Sequence, residues 1–266
     1  MKNSLQTIFL QIGGTPLEIR FGKYKNGYFH SLFMKEWRRI FNKYIVHASP
    51  LSSQNVINVV EDAGLYFHEE DKKITLTIAH ISKRKITTFY HLGIKQFCRI
   101  VAQLVFKELI KNNGLYLHGS AIQTSHGAVI FLGKSGAGKS TISILLSHKY
   151  PVLADDQLFI MCKSNRYYFY QSFIPESNPH IGPSTKMIPI WRVFFIKQSK
   201  LLSIEHISSK TKIYKWISPE LFTTFKDATK SNKNLIRFIK NEDLFFTYAF
   251  PKNQKMLTSS FQELTR

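Results

Sequence analysis

Gly133-Lys134-Ser135-Gly136-Ala137-Gly138-Lys139-Ser140 matches the P-loop pattern G-x-x-x-x-G-K-[ST] at every fixed position. An apolar run, Ala128-Val129-Ile130-Phe131-Leu132, precedes it, and Lys139 to His148 has helical character. Strand, glycine-rich loop and helix in that order are the context in which the pattern carries a mechanism. Glycines let successive backbone N–H groups curl around phosphate oxygens, and a helix N-terminus adds positive potential. The motif thus implies a nucleoside triphosphate held by Gly133 to Thr141. Lys139 would reach the β- and γ-phosphates, and the Ser140 hydroxyl would ligate Mg²⁺.

The next strand, Val152-Leu153-Ala154, ends in Asp155-Asp156, only 16 residues beyond Lys139. In an open α/β sheet, ligands bind beyond the carboxyl ends of strands. Two carboxylates there can hold Mg²⁺ and accept a proton from a hydroxyl nucleophile. Asp155 is read as the base and Asp156 as the metal ligand, and the two roles are interchangeable at this stage. His118, at the end of Leu115-Tyr116-Leu117, is a candidate for contact with the transferring phosphate or the metal. Lys134 and Arg192 are candidates for added positive charge at the transition state.

Elsewhere the pattern gives organisation. Thr7 to Ile12 and Leu17 to Phe21 read as strands around a Gly13-Gly14-Thr15-Pro16 turn. The first 90 residues read mostly as short strands, among them Lys73 to Ile78. Glu61 to Gly64 and His68 to Asp71 read as loops. Gly93 to Lys111 shows helical spacing and ends at Asn112-Asn113-Gly114. Strand, loop, helix and strand near residues 128–154 read as a βαβ unit with the two strands as neighbours. Arg192 to Ile196 and Ile204 to Ile207 read as further strands, and Ser218-Pro219-Glu220 as a helix start. The expected division is an N-terminal β-rich lobe ending in a helix, residues 1–110, and a P-loop core, residues 111–266.

Thirty-seven Lys and Arg against 17 Asp and Glu give a formal charge of +20. That excess favours an anionic partner, but the basic residues are scattered in runs of three at most. No nucleic-acid motif or basic stripe with interleaved aromatics covers the P-loop region, which argues against nucleic acid as the partner. Cys98 and Cys162 are far apart and without metal-ligand spacing, so they read as free thiols. No apolar run has the roughly 18–20 residues needed to span a bilayer, and no signal segment is visible, so the expectation is a cytoplasmic chain without membrane contact.

His118-Gly119-Ser120-Ala121, then the P-loop, then Val152-Leu153-Ala154-Asp155-Asp156 resemble, in order and spacing, the HPr serine kinase/phosphorylase family and its smaller relatives. The resemblance covers about residues 114–210. It extends weakly through Ile188 to Ile196 and Ile204 to Ser208, and the N-terminal 110 residues are unlike the full enzyme's. It implies an α/β kinase core of the kind shared with phosphoenolpyruvate carboxykinase, using ATP and Mg²⁺. The implied catalytic set is Lys139, Asp155, Asp156 and His118. The family's downstream signature, with a further metal-binding Glu and a catalytic Arg, is not recognisable; Glu176, His180 and Arg192 are its candidates. Small relatives often accompany ribosomal-peptide clusters, including those of lasso peptides, where they phosphorylate a precursor peptide. The resemblance therefore points to transfer of a γ-phosphate to a serine hydroxyl of a peptide or protein. The competing readings are a nucleotide-binding module without transfer, and a free-serine kinase. The sequence sets neither the oligomeric state nor ATP over GTP.

Overall fold

The structure, a computed structural model, describes residues 6–24, 27–47, 55–61, 67–70, 73–76, 79–82, 85–174, 181, 184–223, 227–251 and 253–264. The chain forms two compact units, Met1–Val105 and Phe106–Arg266.

In the first unit, β1 (Gln6–Ile12) and β2 (Thr15–Phe21) form a hairpin across Gly13 and Gly14. Both glycines have positive φ, 54° and 79°, which a tight turn between adjacent strands demands. A 15-residue helix, α1 (Gly27–Phe41), follows, within the stretch expected to be mostly short strands. Its buried residues Phe33, Met34, Trp37, Ile40 and Phe41 recur at helical spacing. Trp37 meets Phe21 edge-on at 5.3 Å, so the aromatic content that suggests strands here packs a helix onto a sheet. The sheet also holds β3 (Ile45–Val46), β4 (Asn55–Val60), β7 (His80–Ser82) and β8 (Lys85–Phe89), in the order β3-β1-β2-β4-β8-β7. A separate hairpin pairs β5 (Phe67–Glu70) with β6 (Lys73–Leu76). The segment from His68 is thus a strand and not the expected loop, whereas residues 62–64, 71, 77 and 78 lie outside the described residues. The chain passes to the second unit within α2 (Gly93–Lys111), whose bounds are those the periodicity predicts.

The second unit is a mixed α/β structure around a nine-stranded sheet. Its strands are β9 (Leu115–His118), β10 (Ser120–Gln123), β11 (Ala128–Leu132), β12 (Val152–Ala154), β13 (Gln157–Lys163), β14 (Arg166–Gln171), β15 (Met187–Gln198), β16 (Ser203–His206) and β17 (Phe245–Phe250). The main path runs β12-β10-β11-β15-β14-β13-β9, with β17 on β15 and β16 on β17. The expected βαβ neighbours are therefore not adjacent. β10 lies between β11 and β12, antiparallel to both.

β11 is buried on both faces, which explains its unbroken apolar run. Ala128, Ile130 and Leu132 share one core cluster with α4 (Lys210–Ile217) and α5 (Ala228–Asn241) through Ile213, Ile217, Leu235 and Phe238. Val129 and Phe131 share the other with α3 (Lys139–Leu146) and α6 (Gln254–Leu264) through Ile142, Leu146, Leu257 and Phe261. The second unit thus has helices on both faces of its sheet. Ser218–Glu220 is a single 3₁₀ turn directly after α4, a helix end and not the expected helix start.

The same sheet curls. β9 and β10 are joined by Gly119 alone, yet stand at or near opposite ends of the path. β12 and β13 do the same across Asp155-Asp156. Two chain segments therefore cross from one end of the sheet path to the other side by side, with Gln157 opposite His118 and Ala154 opposite Ala121. Gly119 N–H donates to the Asp156 carbonyl at 3.1 Å and ties the two crossings together.

Candidate functional site

The glycine-rich segment Gly133–Gly138 connects β11 to α3, at the carboxyl end of a buried strand. Gly138 caps α3 with φ 100°, a left-handed conformation suited to glycine, and no side chain caps the helix. A Cβ on Gly136, at φ 78°, would meet nothing within 4 Å. Lys134, Ser135, Gly136 and Ser140 are exposed, and Ala137 and Thr141 are half-buried.

Lys139 opens α3 and is buried, with only 7% of its surface exposed. Its Nζ donates to the Gly133 carbonyl at 2.6 Å and, more weakly, to that of Lys134 at 3.4 Å. The Ser120 hydroxyl donates to the Lys139 carbonyl at 3.0 Å, fixing the start of α3 against β10.

Asp155 and Asp156 stand at the crossing between β12 and β13 and point to different partners. Asp155 Oδ1 lies 3.1 Å from the Ser143 hydroxyl, which is also 3.0 Å from the Ser140 carbonyl one turn earlier on α3. Asp156 is exposed. Its Oδ1 is 3.2 Å from His118 Nε2, and its Oδ2 accepts from the Gln157 amide at 3.4 Å. Asp155 therefore faces the helix that follows the loop, and Asp156 faces the end of β9.

The structure brings a further residue to this site. Glu220, in the 3₁₀ turn after α4, is buried, and its Oε2 is 3.2 Å from His118 Nδ1 and 4.0 Å from Lys139 Nζ. Its position is set by β9: Leu117 bridges Leu221, and Phe222 N–H donates to the Tyr116 carbonyl at 2.9 Å. The Phe222 ring lies on that of Tyr116 at 4.3 Å. In the sequence Glu220 is only the carboxylate of a Ser-Pro-Glu triplet, with no motif to mark it. The pairing with β9, a contact across about a hundred residues, brings it in together with the end of α4.

His118, Lys139, Asp155 and Asp156 are thus gathered at one place, linked through Ser143 on one side and Glu220 on the other. Arg192 is not among them. It pairs with Val129 at the end of β11 away from the loop, and its guanidinium lies 4.4 Å from the Trp191 ring and 4.8 Å from the Phe246 ring. Burial there lowers its pKa from the ordinary guanidinium value. The expectation that it adds charge at the reacting phosphate gives way to a stacking role within the sheet. Glu176 and His180 lie outside the described residues.

A family model described as SynChlorMet cassette protein ScmC matches residues 78–213, just over half of the chain, and the chain belongs to that family. The match spans His118, Gly133 to Ser140 and the Asp pair, and stops short of Glu220. No curated protein matches the chain. Among solved structures, the Hpr(Ser) kinase/phosphatase from Coxiella burnetii is similar at 11% identity, over 56% of this chain and 97% of that one, with a TM-score of 0.29. So distant a likeness leaves the fold to rest on the strand order itself. Among the described residues, no helix is long and apolar enough to cross a membrane.

Proposed function

We propose that the chain is an ATP-dependent kinase that transfers the γ-phosphate to a serine hydroxyl of a peptide or protein, with a ribosomal precursor peptide as the acceptor. The observation that carries the reading is the meeting of a complete G-x-x-x-x-G-K-S loop with two adjacent carboxylates, one hydrogen-bonded to the loop's own helix. The motif order supports an HPr-kinase-like core in residues 111–266, with residues 1–110 recognising the partner.

The residues fit a bound polyphosphate. An uncapped helix start, open space over Gly136, and a buried ammonium whose acceptors among the described residues are two carbonyls and one carboxylate suit phosphate oxygens. Ser140 and Asp156 would hold Mg²⁺, which neutralises charge on the phosphates when bound. Asp155 would take the proton of the acceptor serine as its Oγ bonds to the γ-phosphorus and the bond to the leaving ADP oxygen breaks. The carboxylate roles remain exchangeable, and His118 would orient Asp156 through its Nε2. Lys139 would turn from the Gly133 carbonyl to the phosphates. Catalysis would be mainly positioning and charge stabilisation, since the transition state is loose.

The test is incubation with ATP, Mg²⁺ and peptides encoded beside the gene, read by mass. One phosphate gained on a serine, lost in Asp155→Asn and Asp156→Asn by factors of about 10²–10⁴, supports the reading. Phosphate on free serine and on no peptide would replace the acceptor. ATP consumed without any phosphorylated acceptor would replace the kinase with an NTPase module.

A further inference from the structure

A buried carboxylate beside a phosphate-binding lysine works against anion binding, unless it does something for the site before the anion arrives. Glu220 is such a group. Its side chain is 8% exposed, that of Lys139 is 7% exposed, and Glu220 Oε2 is shared between Lys139 Nζ and His118 Nδ1. Among the described residues, the other acceptors at Lys139 Nζ are the carbonyls of Gly133 and Lys134, which carry no full charge. A buried ammonium needs a counter-charge, because desolvation penalises an unpaired ion heavily.

We propose that Glu220 is a positioning residue of the nucleotide site: it is the counter-anion that holds Lys139 and His118 in place, and an incoming polyphosphate displaces it from Lys139. This rests on the nucleotide reading above. When phosphate oxygens take Lys139, the carboxylate keeps its 3.2 Å contact with His118 Nδ1, so it is not left without a partner. His118 in turn spans the two acids, with Nδ1 toward Glu220 and Nε2 toward Asp156. The exchange therefore leaves His118 as the link between the vacated carboxylate and the Asp pair. The consequence has a definite sign. Glu220 competes with the ligand for Lys139 and repels its charge, so removing that charge strengthens nucleotide binding, where the loss of a merely structural partner would weaken it.

The experiment is an equilibrium titration of the full chain with ATP and Mg²⁺, using wild type, Glu220→Gln, Lys139→Ala and the double variant. Glu220→Gln keeps shape and can still accept from His118 Nδ1. It should bind roughly fivefold tighter or more, a coupling of ordinary allosteric size. The gain should shrink in the Lys139→Ala background, since the two side chains act on one contact. Glu220→Asp retracts the charge by one methylene and should bind tighter than wild type by a smaller factor. It serves as the test if Glu220→Gln does not fold. Equal or weaker binding by these variants, at an unchanged melting temperature, would overturn the proposal and leave the nucleotide reading standing. Absence of nucleotide binding by wild type and by every variant would remove both.

Discussion

Ser143 and Asp155 are joined by a 3.1 Å hydrogen bond between the second turn of α3 and the crossing from β12 to β13. Ser143 is fully buried, and its hydroxyl also lies 3.0 Å from the Ser140 carbonyl. One side chain thus fixes the distance between the helix that follows the glycine-rich loop and the first carboxylate of the pair. Ser143→Ala should cost roughly 1 kcal/mol of stability, the usual net loss for one such bond. On the proposed reading it should also lower the transfer rate more than it weakens nucleotide binding, because Asp155 loses its register and the loop does not. Chemical denaturation and steady-state rates separate the two effects. A rate loss matched by an equal loss of nucleotide affinity would contradict this assignment.

Gly119 stands where the chain crosses between β9 and β10. A Cβ there would lie 2.8 Å from Leu132 Cδ2, 2.8 Å from Leu158 Cδ1 and 2.9 Å from the Phe131 carbonyl oxygen. The leucines can turn aside, but the carbonyl belongs to buried β11 and cannot. Gly119→Ala should therefore destabilise the second unit by roughly 1–3 kcal/mol, as overpacking in a dense core does. The check is a thermal melt followed by a probe in that unit. An unchanged melting temperature would mean that the crossing is looser than the geometry indicates.

Much of this was legible in the sequence, for reasons that differ by element. The loop and its flanks declared themselves because phosphate chemistry requires glycines at fixed places between a buried strand and a helix. α2 was legible because its apolar residues keep one period over five turns. α1 was not, because Phe33, Trp37 and Phe41 are residues that also favour strands, and composition hid their four-residue spacing. The place of β10 between β11 and β12 was hidden too, since adjacency in a sheet is decided by long-range pairing. Glu220 was illegible for the same reason: its neighbours His118 and Lys139 are 102 and 81 residues away along the chain.

Glu242 caps the C-terminal end of α5, and burial raises its pKa above the ordinary 4.5. A carboxylate at a helix C-terminus also opposes the helix dipole. The folded state therefore prefers the protonated form. The cost of ionising it is absent below the ordinary carboxylate range and appears as pH rises through the raised value. Glu242→Gln should raise the melting temperature by about 1–3 °C at pH 7, and the gain should vanish near pH 4. A gain of equal size at both pH values would show that charge is not its cause.

The central claim is that Lys139 and the loop before it hold a nucleoside triphosphate. Isothermal titration of wild type and Lys139→Ala with ATP in the presence of Mg²⁺ tests it most directly. Wild type should bind one equivalent saturably, and Lys139→Ala should bind roughly 10–100-fold more weakly, the loss expected for a charge-assisted hydrogen bond to phosphate. Equal affinity in the two proteins, or no binding by wild type, would contradict it.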